Sequence, residues 1–436
     1  MVSGTRNHFF ILGISLSFFL AGYPGASLLA QNPAGDTVLL SLQDAEKTFL
    51  ANNLTLIASH YDIDINKAIK LQATYWDNPV INTDQNIYDG KFFRHKYENG
   101  NYFGQIYLQL QQLIRTAGKR NRLVRMAEDN IVSSENQFAE ELRNLKLILI
   151  TDINTLQGLQ QTEKVYAREM ALLQRLVTGM EAMFKEGDIS EMENIRMKGL
   201  LYALQQDRNE NLLEQEDLEK DLRVLLQLPD SNWVITDSLM AIPKTDLQRL
   251  AFVMLQDSAL LERPDLALAR NNQLYQQHNL LYQKAVAVPD ITAGIEYDRS
   301  NSYVPKYYGV SLSFPIPMFN KNKGNINAAD YSIKQAAAKT QETESMVRNE
   351  VETAWLKLQK LSDIIDDDDD KNRSDFDRIL LNMTESYRQR QVSLIAFIDF
   401  FTAWKDNQIR RIQMIRDQRN AAATLNFVTD TDIIKL

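Results

Sequence analysis

The chain has 436 residues, of which 48 are basic and 57 acidic, for a formal net charge of −9. Apolar residues make up 44%, enough for a real core, so global disorder is excluded. Cysteine is absent and histidines number four; this removes disulfides, thiolate metal sites and cysteine nucleophiles, and the acidic balance without a basic block argues against nucleic acid as a partner.

Residues 1–30 read as a secretory signal peptide. Arg6 is the positive start, Phe9 to Leu20 an apolar run too short for a membrane span, and Gly25, Ala26, Ser27 and Ala30 the small residues near a cleavage point. No later stretch of ~18 apolar residues occurs, so any membrane insertion must be through strands or a surface helix.

Proline and glycine then divide the chain. No proline lies between Val80 and Leu228 or after Met318, and glycine is absent after Gly324. Both residues oppose helix interiors, so each window can hold very long helices. Met170, Leu173, Val177, Met180 and Phe184 alternate by three and four, the coiled-coil spacing. A continuous helix from Thr116 to Gly187 would be roughly 105 Å long, so the shape is elongated.

Two segments carry strand periodicity. Gly104, Ile106, Leu108 and Leu110 alternate with Gln105, Tyr107, Gln109 and Gln111. Val310, Leu312, Phe314 and Ile316 alternate with Gly309, Ser311 and Ser313. One apolar face marks a half-buried strand, fitting either a sandwich core or a lipid-facing barrel with a wet lumen. The tyrosine-bearing stretches Tyr88 to Tyr102 and Tyr297 to Tyr307 read as loops joining the hairpins. Four strands cannot close a barrel, so a barrel needs about three chains.

The halves resemble each other. Pro79 and Ile81 lie 210 residues before Pro289 and Ile291 (289 − 79 = 291 − 81 = 210), and Phe184 to Ser190 resembles Tyr387 to Ser393. Self-similarity at a long period signals a duplicated architecture. The expected organisation is a first repeat over 31–240, with strands about 79–115 and long helices about 117–228, and a second over 241–436, with strands about 289–317 and long helices about 321–424.

From about Leu40 to Asn426 the chain resembles the TolC-like outer-membrane factors, the exit ducts of tripartite efflux pumps. Leu42-Gln43-Asp44-Ala45 with Asn52-Asn53 looks like the family's first helix, and Glu262-Arg263-Pro264-Asp265-Leu266 like its second-half counterpart. Thr116-Ala117-Gly118-Lys119-Arg120, the run from Phe314 to Gly324, and Arg390-Gln391-Val392-Ser393-Leu394 with Phe397-Ile398-Asp399 are similar to the CzcC and CusC type that serves heavy-metal pumps. The fold class implied is α+β, mainly long α-helices: a trimeric outer-membrane β-barrel with four strands per chain, continued by a periplasmic α-helical barrel. Implied partners are two further copies of the chain, a periplasmic adaptor, an inner-membrane transporter of the resistance-nodulation-division class, and outer-membrane lipid.

The resemblance also implies a function without catalysis, cofactor or resident metal: a passive channel exporting heavy-metal cations, opened when the adaptor docks. The alternatives are a multidrug or type I secretion duct and, from another class, a periplasmic coiled-coil adaptor. No Gly-rich phosphate loop, Gly-x-Ser-x-Gly or His-Glu-x-x-His is present in the sequence. In the family the helix tips pinch the tunnel. Here they are Gly187-Asp188-Ile189-Ser190 and Gln391-Val392-Ser393. Gate candidates are Asp399, Glu193, Arg196 and Asp188, and adaptor-contact candidates are Gly187, Ser190, Val392 and Ser393. Ala396 stands where the family has a second gate carboxylate. Pairing of Asp399 with Arg196 would hold the closed state; the alternative is that these are solvated tip charges. The run Asp366 to Asp370 reads as exposed, loosely ordered chain, and the basic pair Lys119-Arg120 as facing headgroups or lumen carboxylates. Trp76, Trp355 and Trp404 are expected on helices, in packing roles.

Overall fold

The computed structural model describes residues 37–435, apart from 89, 94–96, 99–100, 103, 230–232, 245–250, 300–303 and 366–368. The segment read as a signal peptide lies outside the described residues.

In chain order, β1 (Thr37–Leu40), α1 (Leu42–Asn52) and α2 (Leu54–Thr74) lead into β2 (Val80–Gln85). A short loop hairpin, β3 (Tyr97–Glu98) with β4 (Asn101–Tyr102), precedes β5 (Ile106–Ile114). Then come α3 (Lys119–Glu186), α4 (Glu191–Leu226) and β6 (Trp233–Thr236). The order returns with α5 (Phe252–Glu262), α6 (Pro264–Val286), β7 (Ile291–Asp298), β8 (Tyr307–Ser313), α7 (Lys323–Ile364), α8 (Asp369–Arg388) and α9 (Leu394–Thr429). With no proline and no helix-breaking turn, α3 runs for 68 residues, about 100 Å.

The main sheet is antiparallel throughout, in the order β2-β5-β7-β8. Its register places Ile81, Leu110, Ile295 and Val310 in one cross-strand row, and all four are exposed. The next row is Asn82, Gln109, Glu296 and Gly309, on the opposite face because side chains alternate. There Gln109 Nε2 donates to Glu296 Oε2 (3.0 Å) and Ser311 Oγ (3.1 Å), and the Tyr107 hydroxyl donates to Glu296 Oε2 (3.0 Å). Crowding on this face explains Gly294: a Cβ there would stand 2.6 Å from Ser311 Oγ. One face is thus apolar and uncovered, the other polar and internally bonded. Strands β2 and β8 are the edges of this sheet within the chain.

Polar ties fix sheet to helices. Arg115 makes two 2.8 Å bonds to the Asp77 carboxylate. Asp290 accepts from the Thr116 N–H (2.8 Å) and from Lys119 Nζ (2.7 Å), which also donates to the Val288 carbonyl (2.6 Å). Lys119 is therefore buried and committed, not free for headgroups as the sequence suggests. Arg120 instead lies 4.1 Å from the Trp76 ring centroid. Trp76 falls past the end of α2 and is exposed rather than packed in a helix, whereas Trp404 is buried.

Three apolar clusters order the helices. One joins α1 and α2 to mid-α3, the end of α4, β1 and β6, through Phe49, Leu56, Leu149, Leu156, Leu222 and Val234. A second joins α5, α7 and the end of α9 through Leu255, Ala259, Val347, Leu358 and Leu425. The third sits near the far helix ends. The junctions of the two halves also match in geometry. Asn53 and Arg263 each hold an extended corner between two helices. Asn53 Nδ2 donates to the Leu225 carbonyl (2.9 Å), and Arg263 Nη1 to the Val428 carbonyl (3.4 Å), at offsets of 263 − 53 = 210 and 428 − 225 = 203.

Candidate functional site: the helix tips

The end of the helices remote from the sheet is built by two turns of the same construction. At the first, Gly187 takes the left-handed conformation (φ 82°) after α3, its N–H bonding Phe184 O, while the Asp188 N–H bonds Met183 O. Glycine suits this position because a Cβ is disfavoured at positive φ. Ser190 then caps α4: its hydroxyl accepts from the Glu193 N–H, and the Glu193 carboxylate accepts from the Ser190 N–H (3.0 Å). This is a complete capping box.

At the second turn the left-handed residue is Arg390 (φ 59°), with N–H bonds from Arg390 to Tyr387 O and from Gln391 to Ser386 O. Ser393 caps α9, accepting from the Ala396 N–H (3.3 Å). Alanine at the third helical position cannot return the bond, so this cap is half of its counterpart. Both capped helices have 36 residues and end on a left-handed residue, Gln227 and Asp430.

The hairpins meet over a dense apolar cluster. Leu173, Val177 and Met180 of α3, Met197 and Leu204 of α4, and Phe397, Phe401 and Trp404 of α9 are all buried in it. The Phe397 ring stacks with Tyr387 at a centroid distance of 5.1 Å and with Phe401 at 6.0 Å. Lys405 Nζ of α9 reaches Asp207 Oδ2 of α4 at 2.7 Å. Nearer the turns, Arg390 Nη2 donates to the Asp188 carbonyl (3.0 Å) and lies 3.8 Å from the Asp188 carboxylate. Between the hairpins lies an open cavity of about 820 Å³, with Arg175, Gly179, Asp188, Tyr387, Arg390 and Val392 among its lining.

The sequence candidates fall as follows. Gly187, Asp188, Ser190, Val392 and Ser393 all lie in the two turns. Glu193 is half-buried and engaged in its cap, and Asp399 and Arg196 are exposed on their helices. Among the described residues no ion pair joins Asp399 to Arg196 within the chain; the hairpins are tied by Arg390 and Asp188. Arg390 belongs to the motif that resembles the family, but its left-handed turn and its tie to Asp188 are not legible in the sequence, because a positive φ is expected of glycine and not of arginine. Of the acidic run, Asp369 and Asp370 open α8, and Asp366 to Asp368 lie outside the described residues. Among the described residues no helix is long and apolar enough to cross a membrane.

The family model described as outer membrane efflux protein matches residues 255–366, the stretch from within α5 through both second-half strands and the whole of α7. No curated protein matches the chain. Solved structures do. The outer-membrane channel OprN superposes with a TM-score of 0.71 at 13% identity, covering 90% of each chain. The CmeC outer membrane channel of Campylobacter jejuni gives 0.71 at 15%, covering 89% of this chain and 85% of that one. CusC, described as forming a transmembrane channel, gives 0.71 at 15%, covering 93% and 96%. The chain has the fold of the outer-membrane efflux channels and, over residues 255–366, matches the outer membrane efflux protein family.

Proposed function

We propose that the protein is the outer-membrane exit duct of a tripartite efflux pump, working as a homotrimer and exporting heavy-metal cations. The observation that carries the duct reading is the four-stranded sheet. It has an apolar, uncovered face, a polar opposite face and two edges without partners among the described residues, and it runs into two long helices, α3 of 68 residues, about 100 Å, and α7 of 42 residues. Uncovered apolar rows suit lipid, and free edges are satisfied when three copies close a twelve-stranded barrel. The matching corners and tip turns of the two halves support an internal duplication over 31–240 and 241–436, behind a signal peptide at 1–30.

In this reading the helices form the periplasmic tunnel and the tips its gate. The adaptor docks at the cavity between the hairpins, near Gly187, Ser190, Val392 and Ser393. Opening parts the α8–α9 hairpin from α3–α4 and breaks the Arg390–Asp188 tie. Asp399, Glu193, Arg196 and Asp188 are the charges at the mouth, where carboxylates favour cations. An inner-membrane transporter supplies the energy. Support for metal cargo comes from the segments similar to the CzcC and CusC type, above all Phe314 to Gly324 and Arg390 to Asp399.

Growth of a deletion strain across zinc, cobalt, cadmium, copper and a drug-and-detergent panel tests this. Sensitivity confined to one or two metals and restored by the gene is expected. Sensitivity to drugs with normal metal tolerance would move the function to multidrug export.

A further inference from the structure

Within the tip bundle one acid is placed against the ordinary rules. Glu169 lies on α3, 18 residues before Gly187 (187 − 169 = 18), in the layer where α3 meets α4 and α9. It is 1% exposed, and neither carboxyl oxygen has a hydrogen-bond partner. The chain's own helices bury it. Buried carboxyls are normally paired or bonded, so an unsatisfied one marks a packing that water would relieve.

Its neighbours do not relieve it. From α9, Lys405 contributes positive field at Glu169, but its ammonium is committed to Asp207 at 2.7 Å and lies 3.7 Å from Asp406. The charged and titratable groups acting on Glu169 are Arg168 and Tyr166 from α3, Asp207 from α4, and Lys405 and Asp406 from α9. The Trp404 indole N–H, also on α9, is likewise buried without a partner. Two unsatisfied polar groups thus sit at the seam where α9 rests on α3, among the apolar side chains that hold the tips together.

We propose that Glu169 makes closure of the helix tips sensitive to protons: parting α9 from α3 lets water reach the carboxyl, which then ionises and releases its proton to solvent. The inference rests on the reading of the tips as a gate and adds a group that no mouth charge duplicates. Burial pushes the Glu169 carboxyl up to about 8, with Lys405 and Arg168 pulling it down and Asp406 and Asp207 pushing it up. Once hydrated it returns toward the ordinary 4.5. The closed packing is therefore favoured fully below that ordinary value, is progressively lost as pH rises toward 8, and changes little above it. Between pH 6 and 8 the opening equilibrium should rise on the order of 10- to 50-fold.

The test is hydrogen exchange of the α9 amides around Phe401 to Lys405, in the full-length assembled protein in detergent, corrected for the intrinsic pH dependence of exchange. Wild type should show the rise between pH 6 and 8. E169Q, nearly the same shape but unable to ionise, should be flat, E169M should be protected at every pH, and D406N should keep the rise. A flat wild type, or a rise that persists in E169Q, would overturn the inference. Single-channel opening recorded over the same pH range separates the two readings. If amide exchange follows Glu169 while conductance does not, proton-coupled loosening stands and the gate reading fails.

Discussion

Arginine in place of Leu110 should prevent assembly in the outer membrane, whereas arginine at the adjacent Gln111 should be tolerated. Leu110 is the middle residue of the nine in β5. It stands in the apolar row with Ile81, Ile295 and Val310, which are 66%, 61% and 82% exposed in the single chain. Such a row is unfavourable in water and favourable in lipid. A cation on a lipid face near the bilayer midplane costs about 2–4 kcal/mol per chain, and in the proposed trimer the change occurs three times. Gln111 points to the other face, where its Nε2 donates to Gln109 Oε1 at 2.6 Å. Arginine there would lose that bond but enter a polar, hydrated setting beside Glu296. The assay is the amount of each variant in the outer-membrane fraction and its heat-modifiable mobility on denaturing gels. Equal assembly of both variants, or a worse result for Gln111→Arg, would refute the assignment of the apolar face to lipid.

Four further substitutions probe the packing and the caps. Phe401→Ala removes a ring that is 1% exposed and should cost the tip bundle about 3–5 kcal/mol, seen as faster proteolysis and amide exchange of α9 with the four-stranded sheet intact. Lys119→Met strips Asp290 and the Val288 carbonyl of a donor; because the Asp290 side chain is 27% exposed, the loss should be about 2–3 kcal/mol, toward the low end of the range for buried pairs, and appear as a lower unfolding temperature of the sheet–helix junction. Ala396→Glu should complete the second capping box and add about 0.5–1 kcal/mol to the start of α9, while Ser190→Ala should remove about 1 kcal/mol from the first; protease resistance of the two tips reads both.

Much of the architecture is legible in the amino-acid order because it is locally encoded. The absence of proline permits α3, whose two glycines, Gly158 and Gly179, do not break it, and the period-two rows of β5 and β8 carry their own face assignment. Other features depend on distant partners. The parallel pairing of β1 with β6 joins four-residue strands almost two hundred positions apart, too short for any periodicity. The helical window after Gly324 contains neither proline nor glycine, yet α7 ends at Ile364; the row of like charges that follows is the local cue. At the tips, Gly187 and Ser190 announce their turn, whereas the second turn is placed at Gln391-Val392-Ser393 only through likeness to the family, because Arg390 is a residue that rarely takes positive φ. Its bond to Asp188 arises only once the hairpins are set side by side. Glu169 next to Met170 reads as an ordinary flank of an apolar stripe, and only the packing of α4 and α9 shows it shut away from water.

The most direct measurement is the current through the purified, full-length protein in a planar lipid bilayer. Expected are discrete, uniform conductance steps with a preference for cations, and larger or longer openings when Arg390→Ala cuts the tie to Asp188. A folded protein, extracted from the outer membrane as a stable oligomer, that inserts and carries no current even with that tie removed would contradict the exit-duct function.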